Sequence, residues 1–513
     1  METVWIGVDI GTTGVRAVAY RPDGLSLGEA SREYPLYTPH PGWAEQDPGE
    51  IFAAIEQVLS EVSSELARSG CKADGIALST TFHSLLVYDN ELRPLDRLVT
   101  WADNRSQGIV AEIKKSGLDL LSIYRRVGCP LHASYPMTKI AWWLRQHPKP
   151  NGQRFGSIKD YVFFALTGDW VVDRSIASGS GLYDLFRLRW DDELLRYLGI
   201  QEESLPAVVP TTYSRPLHAE AARRTGLPAG TPVVIGAGDG VLANVGIGAV
   251  NPGQMSATIG TSGAVRILSD VPRTDGKART WCYNLTDESW VLGGAISNGG
   301  IVLRWLRDNF PGPERELATK LGVDPYELLT AEAGKVPPGS DGLILLPFFL
   351  GERAPHWNSD LRGVLFGLSF NHGKPHVIRA VMEGICYSMN SILRALEEVT
   401  GTVREIRASG SFIRSELWTQ MLADVFNREL HLPDINQGVA FGAAVLGFIS
   451  AGVLTDIAET AKLVGVAKTY RPQAAAAADY NRLYGIYEQV YCNLAKSFAE
   501  ISAYQVEHAR NEL

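Results

Sequence analysis

Few cysteines, no basic run and no long apolar stretch narrow this 513-residue chain before any motif is read. The five cysteines (Cys71, Cys129, Cys282, Cys386, Cys492) are odd in number and scattered, with no C-x-x-C spacing. That argues against both a disulfide framework and a structural zinc site. No Lys/Arg-rich run appears and the net charge is −9, which argues against a nucleic-acid partner. The longest apolar stretch, "LILLPFFL", is far short of a membrane span. Met1 runs straight into a strand-like pattern with no basic n-region, so the expectation is a cytoplasmic protein with reduced thiols. No low-complexity linker divides the chain, and no G-x-x-x-x-G-K-[ST] loop occurs in it.

What is present is ordinary globular composition, 45% hydrophobic and 20% charged, in a chain too long for one core. Val4, Ile6, Val8 and Ile10 alternate as in a strand, and Val15 to Tyr20 reads as its hairpin partner. The joining turn, Ile10-Gly11-Thr12-Thr13-Gly14, returns as Ile259-Gly260-Thr261-Ser262-Gly263 in a second strand–turn–strand phrase. Helices are expected over 49–68 and 104–116, around strands at 75–79 and 84–88, in the α/β manner. In the second half the pattern predicts a helix capped by Ser297, an amphipathic helix over 376–399, one capped by Ser415, and a last long helix over 474–503. The Gly/Asn/Pro stretch 244–253 is the expected boundary, giving domains 1–252 and 253–513, each opening on a hairpin.

Glycine lets a turn's backbone approach an anion, and neighbouring Thr or Ser hydroxyls add donors. One such turn is as readily an ordinary hairpin; the repeat favours two turns gripping one polyphosphate across a cleft. Asp9 lies in the first phrase, and Asp239 ends an apolar run at "GAGDG", where α/β proteins bind ligands. Read as phosphoryl-transfer groups, Asp239 takes the proton of a substrate hydroxyl and Asp9 helps hold Mg²⁺ through water, with Asp239 the second candidate at the metal.

These residues resemble a known family, the FGGY carbohydrate kinases of the actin/hexokinase/Hsp70 ATPase superfamily. "GVLFGLSFNHGKPHVIRAVMEG", 363–384, fits the family's second signature throughout, and "SYPMTKIAWWL", 134–144, fits the first loosely, with Trp143 where a smaller residue is usual. "GERAPHWNSDLRG", 351–363, and "QGVAFGAAVLG", 437–447, also look like family segments, and the likeness runs from Val4 to Tyr491. It implies two actin-like (ribonuclease H-like) α/β lobes with Mg²⁺ and ATP in the interlobe cleft. By position it makes Asp239 the catalytic base. Gly11, Thr12, Thr13 and Arg16 resemble the first phosphate loop, and Gly260, Thr261 and Ser262 the second. Gly410 and Ser411 fall in the adenosine-binding loop, Ser411 standing where the family has glycine.

For the substrate, Phe82 and His83 lie where the family's sugar loop falls, and Asp103, Arg105 and His132 are further candidates. "GCPLHASYPMTK" and "DRSIASGSGLYDL" look most like the gluconate kinases of the family. The implied reaction is ATP plus D-gluconate giving ADP and 6-phosphogluconate, with Arg105 or His83 meeting the sugar-acid carboxylate. His83, which pentulose kinases share, keeps D-xylulose open as the alternative. His83 and His132 could equally be core histidines, and Arg105 an ion-pair member. A non-catalytic actin-like ATPase or a regulator is the reading of another class. Dimers are common among relatives, but no interface motif stands out.

Overall fold

The structure, a computed structural model, describes residues 3–148, 152–310, 314–434 and 438–511. It divides into two compact units, and the division is not one cut in the chain. The first holds Met1–Pro252 with Leu268–Leu292 and Ile435–Gly465; the second holds Gly253–Ile267, Gly293–Asp434 and Val466–Leu513.

The first unit is built on a six-stranded sheet. Trp5–Ile10, Gly14–Tyr20 and Ser26–Glu33 form an antiparallel meander, as the alternating apolar residues and the short Gly-rich turn require. Gly75–Thr80 then lies parallel to Trp5–Ile10, and Pro232–Gly238 parallel to Gly75–Thr80. One face is covered by the helix Pro48–Arg68, whose Asp47 cap accepts from the Gly49 and Glu50 amides. Ile51, Ile55, Val58, Leu59, Val62 and Leu66 put its buried stripe on the sheet. The almost wholly apolar helix Gly438–Ser450 covers the other face, so both faces are dry and the strands read as near-continuous apolar runs. Of the family-like segment 437–447, Gln437 lies outside the described residues.

The second unit repeats the plan. Gln254–Ile259 and Gly263–Ser269 form an antiparallel hairpin, Glu405–Ser409 lies parallel to Gln254–Ile259, and Leu430–Pro433 lies parallel to Glu405–Ser409. The long helix Lys374–Thr400 is its central post. The signature segment 363–384 is therefore largely structural: Val364–Phe366 pairs with Ile344–Leu346, and Glu383 is buried inside the post. Glu383 accepts from Gly339 N, Ser340 Oγ, Arg379 Nε and Tyr480 Oη at 2.8–2.9 Å. Such a buried carboxylate is tolerable only because it is this fully bonded.

Two expected elements differ. Ser297 caps no helix; its amide donates to Glu352, and the helix Gly300–Asn309 begins beyond Gly299. The last helix is two, Ala474–Asn493 and Ala495–Asn511, broken at Leu494. The first buries Tyr480, Tyr484 and Tyr487, the second Phe498. Among the described residues no helix is long and apolar enough to cross a membrane.

Candidate active site

In the first unit three parallel strands end side by side. Asp9 pairs in register with Ser79, and Ala237 and Gly238 pair with Ser79 and Thr80. The third strand reaches that register only after a bulge. Gly236 has φ +70, and a side chain there would collide with the Leu78 carbonyl. The strand then delivers Asp239 as the first residue of the helix Asp239–Gly246, where Asp239 Oδ1 accepts from Gly240 N at 2.6 Å.

Asp9 and Asp239 feel each other. Burial, then the charge of Asp239, push the Asp9 carboxyl from the usual carboxylate range to about 7, against the pull of Ser79, Arg16 and Lys159. Asp9 Oδ1 is buried and finds no hydrogen-bond partner among the described residues. A carboxylate in that condition fits a cation. Among the described residues no three His, Cys, Asp or Glu side chains gather into a metal cage, so a cation here would draw its other ligands from phosphate and water.

The first turn is held by its carbonyls. Tyr34 Oη donates to Gly11 O at 2.5 Å, Gln46 Nε2 to Thr12 O at 2.7 Å, and Tyr34 N to Thr13 O at 3.3 Å. Trp101 Nε1 donates to Thr12 Oγ1 at 2.9 Å. With three successive carbonyls tied to the protein, their negative ends are turned away from an incoming anion. Arg16 stands opposite Asp9 in the hairpin and pairs with Glu29.

The second turn, in the second unit, is also held by its carbonyls, here through backbone amides. Gly260 O accepts from Gly300 N at 2.7 Å, Thr261 O from Ile301 N at 3.2 Å, and Ser262 O from Gly260 N at 2.8 Å. Beside it Thr258 Oγ1 and Ser409 Oγ lie 3.0 Å apart, and Gly410, at φ +102, leads into the tight turn Ser411–Arg414. The structure thus brings Gly260, Thr261 and Ser262 together with Gly410 and Ser411.

The expected sugar loop meets Asp239 in the first unit. The Phe82 ring fills the space over Gly238, next to Asp239. His83, at φ +64, is held in that unusual conformation by Lys139, whose ammonium donates to His83 O at 2.7 Å and Thr100 O at 2.6 Å. His83 Nε2 lies 3.0 Å from Tyr283 Oη, which lies 3.0 Å from Tyr135 Oη. His132 bonds Ser134 through Nδ1 at 2.9 Å.

Arg105 and Asp103 are placed otherwise. Asp103 is fully buried, accepts from Ala44 N at 2.7 Å, and takes a two-pronged bond from Arg105 Nε and Nη2. Arg105 also bonds Glu45 at 2.6 Å and lies over the Trp43 ring. The pair is an internal brace, the ion-pair alternative left open by the sequence. The reading missed Tyr34, Gln46, Trp101, Tyr135, Tyr283 and Lys159. Only Lys159 left a signal, a lysine on the apolar helix face of Phe163 and Leu166.

Two family models match the chain: the N-terminal domain of the FGGY family of carbohydrate kinases over residues 4–246, and its C-terminal domain over 255–451. The chain belongs to this family. A gluconokinase of Bacillus subtilis (strain 168) is 40% identical over 98% of this chain and 99% of its own length. A gluconate kinase from Lactobacillus acidophilus superposes with TM-score 0.91 at 32% identity, over 98% of this chain and 100% of that one. A ligand-bound xylulose kinase from the same organism superposes equally, TM-score 0.91 at 32% identity, over 97% and 100%. The FGGY chain described here is thus a carbohydrate kinase with the two-domain α/β fold of its family, the actin-like one.

Proposed function

We propose that the protein transfers the γ-phosphoryl group of ATP to D-gluconate, giving ADP and 6-phosphogluconate. The observation that carries the chemistry is the Asp239 carboxylate, set at a bulged strand end beside Phe82 and close enough to Asp9 to raise its pKa. The likeness to a gluconokinase over essentially the whole of both chains supports the sugar acid. The first unit, with its Leu268–Leu292 segment, supplies the sugar site and the first phosphate turn, and the second unit the second turn and the adenosine loop.

Asp239 accepts the proton of the attacking sugar hydroxyl while the Gly11–Thr13 and Gly260–Ser262 turns hold the phosphates. His83, Tyr135 and Tyr283 offer hydroxyl and imidazole groups to the polyol; with Arg105 committed to Asp103 and Glu45, the His83 imidazole is left to meet the carboxylate. Asp9, with Asp239 near it, would hold Mg²⁺, which would supply charge neutralisation on the phosphates.

The test is ADP release from ATP and Mg²⁺ with D-gluconate, D-xylulose, L-ribulose, glycerol or no sugar. Preference for gluconate is expected; preference for xylulose, which the second structural likeness favours, keeps the Asp239 chemistry and overturns the sugar acid. In Asp239→Asn we expect turnover to fall by about 1,000-fold with ATP affinity kept. Retained turnover rules the base out.

A further inference from the structure

A fully buried lysine lies beneath the bulge that presents Asp239, and nothing in the proposed reaction uses it. Lys159 Nζ has three N–H donors and three carbonyl partners: Ile235 O at 2.6 Å, Ala237 O at 3.0 Å and Leu78 O at 3.2 Å. Two of those carbonyls flank Gly236, and the third belongs to the neighbouring parallel strand. The bulge breaks the ladder there, so its backbone groups need other partners. The Ile235 and Gly236 amides find them in Tyr213 O and Thr211 O, each at 3.0 Å. The carbonyls on either side of Gly236 turn inward to the ammonium.

The next residues are held from the same side. Gly238 N donates to Ser175 Oγ at 3.1 Å, in the short helix Arg174–Ser178 that Asp173 caps. The other oxygen of Asp173 lies 3.7 Å from Lys159 Nζ, both side chains being fully buried. Asp173, Asp239 and Asp9 are the carboxylates that act on this ammonium. A buried cation so placed does two things at once: it fixes a backbone path and lends positive charge to the floor of the site.

We infer that Lys159 is a positioning residue for phosphoryl transfer, tying the carbonyls on both sides of the Gly236 bulge to the neighbouring strand and so fixing where Asp239 points. It touches neither sugar nor nucleotide. The inference rests on the reading of Asp239 as base, and Ser175 is its partner in the task.

The test compares wild type with Lys159→Met, Lys159→Arg, Ser175→Ala and Asp239→Asn, measuring kcat, both KM values and the unfolding midpoint on the same preparations. Displacement of a catalytic group by about 1 Å costs about 100-fold, so Lys159→Met should lose about that in kcat. Both KM values should stay within about 3-fold, since substrate contacts are untouched. Lys159→Arg, which keeps the charge and part of the bonding, should recover some of the loss, and Ser175→Ala should show a smaller fall, again in kcat. If Lys159→Met does not fold, the arginine and Ser175 variants carry the test. Wild-type kcat in these variants, or a loss confined to KM, overturns the inference while Asp239→Asn remains inactive. An active Asp239→Asn sinks the underlying reading instead.

Discussion

The Gly11–Gly14 and Gly260–Gly263 turns are nearly the same word in sequence, yet each is braced by different chemistry. The first has its carbonyls held chiefly by side chains that arrive from elsewhere in the chain, Tyr34 and Gln46, with Trp101 on the Thr12 hydroxyl. The second is held by backbone amides, those of Gly300 and Ile301 at the start of the helix Gly300–Asn309. A turn braced by side chains loses its supports one hydrogen bond at a time. One braced by backbone fails only when the approach of the two chains is blocked. The repeated motif therefore fixes the shape of the turn, while the means of holding it is free to differ.

The largest test of this difference is Gly299→Ala. A Cβ on Gly299 would lie 2.6 Å from the Ser262 carbonyl carbon and oxygen, which are backbone and cannot swing aside. The second turn must move, at an overpacking cost of about 1–3 kcal/mol. We expect ATP affinity to fall by about 100-fold, with gluconate affinity unchanged when calorimetry measures each separately. An alanine variant with wild-type ATP affinity would remove the second turn from phosphate binding.

Tyr34→Phe should do less. It deletes one hydrogen bond, from Tyr34 Oη to Gly11 O, and leaves the Tyr34 amide on Thr13 O. The loss is about 1 kcal/mol, or about 5-fold in the KM for ATP, and Gln46→Ala should be similar. Because the supports are separate, the two losses should nearly add in the double variant. A single change costing as much as Gly299→Ala would abolish the distinction between the turns.

Much of this was legible in the sequence, and the reasons for the rest are local. Asp9 and Asp239 could be read because a carboxylate at the end of an apolar run is a strand-end signal, and the hairpins because their period is 2. Ser415 was read correctly as a cap and accepts from Trp418 N at 3.2 Å. Tyr34, Gln46 and Trp101 were invisible, since each acts through one polar atom on a backbone or hydroxyl group far away in sequence. Arg105 stayed open between the substrate and an ion pair because its partner Glu45 lies 60 residues off, and nothing in "TWADNRS" points there. Ser297 was the expected cap of the helix there, and the close approach of Gly299 and Gly300 to another turn appears only in three dimensions.

A last effect, on stability alone, contrasts the two units in acid. In the first, Asp9 has its carboxyl raised to about 7, so acid relieves a buried charge there. In the second, His356 behaves oppositely. Its Nε2 is buried without a hydrogen-bond partner among the described residues, its ring lies 3.9 Å from that of Tyr491, and burial pushes the imidazole down from 6.5 to about 4. Below pH 6.5 the unfolded chain takes up a proton that the folded unit refuses, so stability falls as pH drops from 6.5 toward 4. In His356→Phe that proton is gone from both states and the ring packing is kept. We expect its unfolding midpoint to match wild type at pH 8 and to exceed it at pH 5 by about 4 °C, the shift that a difference of about 1–2 kcal/mol produces in a domain of this size. A pH-independent difference would mean that packing, not protonation, separates them.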